Sequence, residues 1–117
     1  MSKFQPITVT EDELSALDNE HDDVMQFKGP ALAPWLCVVR RPNAEEAIKY
    51  KIMANDQNPM KAIDANLKLI ERLCVYPKGD DWKRQIARWP LFPDGMAKNV
   101  RFQQFCGIEG IVDEREK

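Results

Sequence analysis

Two pairs of adjacent carboxylates, Glu45-Glu46 and Asp80-Asp81, are the first residues in this 117-residue chain whose type could carry chemistry. Hydrolysis of a glycosidic bond uses two carboxyl groups placed across one substrate. Neighbouring helix positions point about 100° apart, so spacing alone brings neither pair to a common site. Both pairs stand where helix caps and first-turn acids belong, and capping is the role expected of them. His21 is the only histidine and lies among acids. A zinc site needs further imidazole or thiolate ligands at close spacing, and a cysteine nucleophile needs a histidine base. His21 is therefore expected in a solvated loop. Cys37, Cys74 and Cys106 are odd in number, far apart and set among apolar residues. That suits small buried hydrophobes in a reducing compartment rather than a disulfide framework. Arg40-Arg41 with Lys49 and Lys51 is the nearest thing to a phosphate patch. Strand alternation sends the two arginines to opposite faces, and Glu45 and Glu46 interleave with the bases. Gly29, Gly79, Gly95, Gly107 and Gly110 are all isolated, which leaves no glycine-rich phosphate loop. The expectation is a non-enzyme with no catalytic residue, cofactor or metal, and no nucleic-acid partner.

What remains is aromatic and basic. Trp82, Trp89 and Phe92 fall within eleven positions, accompanied by Lys83, Arg84 and Arg88. A helix presents residues seven apart on one stripe, and Trp and Arg are favoured at the centres of protein–protein interfaces. The same residues equally suit the sealing of a small core, and Phe102 and Phe105 admit both readings. The candidate partner-binding set is thus Trp82, Arg88, Trp89, Phe92, Phe102 and Phe105.

These residues must be positioned by a fold that the patterning outlines. Val24–Lys28 alternates apolar and polar, Gly29-Pro30 breaks it, and Trp35–Val39 is apolar throughout. Two such runs joined by a short Gly/Pro connection form an antiparallel hairpin. The second run is expected to be covered on both faces, or central with helices packed on it. Upstream, Thr10-Glu11-Asp12-Glu13 is a capping box that starts a short helix to about Leu17, followed by a polar loop over Asn19–Asp23. Downstream, Asn43 and Glu46 begin a helix to about Ala54 with Ala44, Ala47, Ile48 and Ile52 inward. Asn55–Asn58 breaks the chain and Pro59 opens the next helix. There Met60, Ile63, Leu67, Ile70 and Cys74 recur at spacings of three and four, an inward stripe widened by Leu69 and Leu73. Val75-Tyr76-Pro77 ends that helix. Asp80 caps a short helix to about Trp89, Leu91–Gly95 is a turn, and a last helix spans Met96 to Cys106 with Gly107 as its stop. The expected fold is α+β and helix-rich: a short N-terminal antiparallel β-hairpin packed against about four helices. All 117 residues form one domain, with an acidic lead-in (1–23), the hairpin (24–41), a helical part (43–106) and a frayed charged tail (107–117).

Composition agrees with an ordinary globular chain, at 44% hydrophobic and 31% charged residues with a net charge of −2. Such a balance does not suit a general nucleic-acid binder. Residues 1–30 hold seven acids against two bases, and the remainder holds fifteen bases against twelve acids. No apolar run approaches the roughly 20 residues of a membrane span, and the first residues lack the apolar core of a signal peptide. A cytoplasmic location, without a membrane partner, is expected.

Several short motifs also resemble one family. They are Phe27-Lys28-Gly29-Pro30, then Cys37-Val38-Val39-Arg40-Arg41-Pro42-Asn43-Ala44-Glu45, then Leu73-Cys74-Val75-Tyr76-Pro77, then Arg88-Trp89-Pro90. In this order, over roughly residues 24 to 106, they are similar to the small tail assembly chaperones of long-tailed bacteriophages and prophages. Asn43 stands where those proteins more usually carry a threonine cap, an exchange that an N-cap tolerates. The resemblance implies a non-enzymatic protein of the bacterial cytoplasm, absent from the mature virion. Its partners would be the tape measure protein, which it keeps soluble, and the tail tube protein, whose assembly it promotes; a homo-oligomeric state is left open. It also implies that some members exist in a longer, frameshifted form. A chaperone for a long, apolar, helical client needs grooves and exposed aromatics rather than a pocket. The alternative is a small bacterial adaptor or regulatory domain that binds one protein partner.

Overall fold

The structure is a computed structural model that describes residues 7–30 and 32–107. The expected tail beyond Gly107 lies outside the described residues. Helix α1 (Glu11–His21) leads into β1 (Val24–Lys28) and β2 (Leu36–Arg40). Then follow α2 (Ala44–Ala54), α3 (Pro59–Leu73), β3 (Cys74–Tyr76), α4 (Asp80–Arg88), α5 (Phe92–Ala97) and α6 (Val100–Cys106). The fold is α+β, as expected, and its first two strands form the antiparallel hairpin.

Local chemistry accounts for most of these boundaries. The Thr10 hydroxyl accepts from the Glu13 amide and the Glu13 carboxylate accepts from the Thr10 amide, both at 3.1 Å. Asn43 and Glu46 form the same reciprocal cap on α2. Pro59 takes the first turn of α3, where the amide it lacks would have had no helical partner. In the hairpin connection a Cβ on Gly29 would collide with the Ala33 carbonyl and the Trp35 Cβ, so only glycine lets the chain approach so closely.

The hairpin is only part of the sheet. β3 pairs antiparallel with β2, giving the order β1-β2-β3 with β2 in the centre. Cys74 was expected inside a helix, but α3 stops at Leu73 and Cys74 turns into extended backbone as its C-cap. Further differences concern helix lengths. α1 runs to His21, because Asp22 adopts a left-handed φ of 69° and Asp18 accepts the Val24 amide at 3.1 Å. Gly79, not Asp80, is the N-cap of α4. Leu91–Gly95 is not a turn, since Pro93 sits in the first turn of α5, a position that favours proline. The expected single helix from Met96 to Cys106 is broken at Asn99, whose side chain caps α6 by accepting from the Arg101 amide. Among the described residues six helices therefore replace the expected four and short lead-in helix.

Alternation along β2 sorts its side chains into two layers. Trp35, Cys37 and Val39 meet Leu69, Ile70 and Leu73 of α3, Trp82 of α4, Met96 and Ala97 of α5, and Phe102 of α6. Leu36 and Val38 face the other way and are equally buried. Over that face passes the lead-in: the Tyr76 hydroxyl donates to the Thr8 carbonyl at 2.7 Å. Ile7, Thr8 and Val9 there line a groove with Gln26, Lys28 and Leu36. β2 is thus central and covered on both faces. Among the described residues no helix is long and apolar enough to cross a membrane.

Candidate functional site

The candidate aromatic residues divide into three settings. Trp82 lies in the core, edge-on to Trp35 with ring centroids 5.3 Å apart. Phe92 is half-buried, with its centroid 5.4 Å from Trp35 and 6.1 Å from Trp89. Trp89 is half-buried beneath the Arg88 guanidinium, 5.4 Å from the ring centre. Phe102 is fully buried on α6 and meets Phe27 edge-on. Phe105 is half-buried, and the Arg41 guanidinium stacks on it at 4.4 Å. Ring contacts thus join Trp82 and Phe92 to Trp35 and Trp89 to Phe92, while Phe102 enters the same core from α6 and Phe105 packs against it under Arg41. Burial turns Trp82 and Phe102 toward the core, so the outward part of the set is Arg88, the exposed edge of Trp89, and neighbouring Leu91, which is 67% exposed.

Several of the residues singled out for their charge are engaged in holding the fold. Arg40 forms a two-pronged ion pair with Glu46, both contacts at 2.8 Å, and also reaches the Arg72 carbonyl at the end of α3. The Arg40 hydrogen bonds, helped by the Asn43 amide, outweigh burial and hold the Glu46 carboxyl down at about 2. Arg41 turns elsewhere, to Asp23 and to the Phe105 carbonyl. Glu45 pairs with Lys49 one turn on, and Asp81 with Arg84. Cys37 and Cys74 are buried, and burial together with the adjacent Cys74 raises the Cys37 thiol far above its usual range. Burial likewise pushes Cys106 up to about 12, against the pull of Arg41.

Two polar groups that sequence patterning passed over hold the elements together. Gln85, fully buried on α4, accepts from the Leu36 amide and donates to the Leu36 carbonyl, both at 2.9 Å. β3 is too short to reach Leu36. The Gln85 side-chain amide satisfies the backbone there in place of a strand. Asn66 accepts from the Tyr50 hydroxyl at 2.6 Å and donates to Asp94 at 2.7 Å, joining α2, α3 and α5. Burial opposes ionisation of Asp94, but the Asn66 and Lys98 contacts prevail and keep its carboxyl below the ordinary range. A lone Gln or Asn on a helix gives no advance sign of either role.

The apolar surface lies elsewhere than expected. Of the eight exposed large apolar side chains among the described residues, five belong to α2 and α3: Ile48, Ile52, Met53, Met60 and Ile63. Ile48 and Ile52 are 60% and 70% exposed, and Met60 is 78% exposed. They had been assigned inward positions, and on α2 the cause of the reversal is Glu46. Its carboxylate is drawn inward by Arg40, and a residue two positions further on faces about 200° away. On α3 the expected stripe holds only toward the C-terminus, at Leu69, Ile70 and Leu73, and Ala65 and Asn66 are buried beside it in place of Met60 and Ile63. A shallow groove of about 200 Å³ runs between the two helices, lined by Tyr50, Met53, Ala65 and Leu69 with Lys49, Lys68 and Arg72 on its rim. It is smaller than a typical small-molecule pocket.

Comparison with family models, with curated proteins and with solved structures returns no match.

Proposed function

We propose that the chain is a tail assembly chaperone of a long-tailed phage or prophage. It binds the tape measure protein in the host cytoplasm, promotes assembly of the tail tube around it, and is left out of the finished virion. The observation that carries this reading is the apolar surface of α2 and α3. Small globular domains seldom leave several large aliphatic side chains of adjoining helices in water unless a partner covers them. Ile48 and Ile52 on α2, and Met60 and Ile63 on α3, recur at helical spacings that suit an apolar helical client. The resemblance of the Cys37–Glu45, Leu73–Pro77 and Arg88–Pro90 motifs to such chaperones supplies the identity of the client. The Arg88, Trp89 and Leu91 surface is assigned a supporting contact, with Phe92 packed against Trp89, Phe105 set apart under Arg41, and Trp82 and Phe102 holding the fold.

Co-expression with a tape measure protein, sought as a very long, helix-rich protein encoded beside this chain, is the test. The account expects the client to be soluble and co-purified with the chain, and aggregated without it. A client that is soluble alone and does not bind would overturn it. Binding to one unrelated protein encoded elsewhere would favour an adaptor instead.

A further inference from the structure

We propose that the outer edge of β1 pairs with the same edge of a second copy, extending the sheet across a twofold axis. The hydrogen-bond pattern shows which backbone groups are available. The Gly29 amide donates to the Trp35 carbonyl at 2.8 Å, and in an antiparallel ladder bonded pairs recur every second residue. Phe27 and Met25 therefore bond inward to Cys37 and Val39, their register partners. Lys28 is opposite Leu36, whose own backbone groups turn to Gln85 on the far side. By the same alternation Val24, Gln26 and Lys28 turn their amides and carbonyls outward. Asp18 occupies the Val24 amide, and Pro30, one step beyond the strand, has none to offer. Gln26 and Lys28 are left with outward amides that have no hydrogen-bond partner among the described residues.

An unpaired strand edge is a template for another strand, and this one selects its own register. Centring the pairing on Phe27 sets Gln26 opposite the partner's Lys28, and Lys28 opposite the partner's Gln26. Every available outward amide then finds a carbonyl, while the occupied Val24 faces the amide-less Pro30. Phe27 meets its symmetry mate at the dyad, as a non-hydrogen-bonded pair with side chains closest. It is half-buried in the single chain, and this contact covers the rest of it. Charge agrees with the same register. Lys28 is exposed without an ion-pair partner among the described residues, and it comes alongside the partner's Asp18, an exposed carboxylate bonded to a backbone amide and to no cation. Each copy carries the acid at one end of the edge and the base at the other. The interface is isologous and small, so the dimer is weak, with Kd on the order of 100 µM.

Sedimentation equilibrium of the full chain from about 10 µM to 1 mM, together with amide hydrogen exchange, tests this inference. A rise from monomer to dimer mass is expected. Protection of the Gln26 and Lys28 amides should rise with concentration, while the Met25 and Phe27 amides stay protected throughout. Gln26→Pro removes an outward amide and no intramolecular bond, and should leave a monomer of unchanged Tm. Lys28→Glu reverses an exposed charge, cannot unfold the chain, and should weaken the dimer about tenfold. A chain that is monomeric at 1 mM, or a dimer whose Gln26 and Lys28 amides exchange freely, would overturn the proposal and leave the edge to a strand of another protein.

Discussion

The sheet with α4 and the pair α2–α3 solve opposite problems in the same small domain. Around β2 most demanding groups are answered: Leu36 by Gln85, Arg40 by Glu46, and the apolar surface of Trp35, Cys37 and Val39 by the helices packed on them, while the buried Trp35 indole N–H has no hydrogen-bond partner among the described residues. On α2 and α3, Glu46, Tyr50 and Asn66 are at least half-buried and bonded, while Ile48, Ile52, Met53, Met60 and Ile63 stand in water. On the proposed function, these polar contacts hold the two helices together while their apolar side chains are left turned outward for a client. Substitutions in the first region should therefore cost stability, and those in the second should cost binding.

The contrast can be broken in three places. The largest effect is expected at Gln85. Gln85→Leu keeps the volume but leaves the buried Leu36 amide and carbonyl without partners, at about 1–3 kcal/mol for each orphaned group. A fall in Tm on the order of 10 °C should follow, and urea denaturation would expose a wrong assignment as an unchanged midpoint. Next comes the Arg40–Glu46 pair. The Glu46 pKa lies at about 2 in the folded chain against an ordinary 4.5, so its contribution is present above the unfolded value. It is lost as pH falls toward 2, and the shift bounds it at about 3 kcal/mol. Glu46→Gln should lower stability at pH 7 and flatten the decline between about pH 5 and pH 2; an unchanged acid profile would remove the pair from the account. The smallest stability effect is expected on the outside, where Ile52→Asp should change unfolding free energy by less than about 0.5 kcal/mol. A large loss there would mean that the side chain is covered within the chain itself.

Sequence patterning reached the fold where local chemistry decides it. The caps at Thr10 and Asn43, the start at Pro59, the alternation of β1 and the stop at Gly107 are each set by residues within a few positions. β3 was out of reach because Cys74–Tyr76 extends only in response to the β2 edge beside it. α5 was hidden because Pro93, Asp94 and Gly95 signal a turn unless Pro93 falls in a first helical turn. The orientation of α2 was the consequential miss. Apolar spacing places Ile48 and Ile52 inward, but the pull of Arg40 on Glu46 is a contact between a strand end and a helix start, and no periodicity shows it. The aromatic cluster left two readings open, and burial divides them: Trp82 and Phe102 build the core, and Arg88 and Trp89 retain an outer edge.

The measurement that bears most directly on the account is capture of the co-expressed tape measure protein by the Ile52→Asp, Met60→Asp double variant, with Tm recorded on the same preparation. The account predicts a Tm within about 5 °C of the parent chain, as for two surface changes of under about 0.5 kcal/mol each, together with loss of the client into the insoluble fraction. Full capture by the double variant at unchanged Tm would contradict it and move the client site away from α2 and α3.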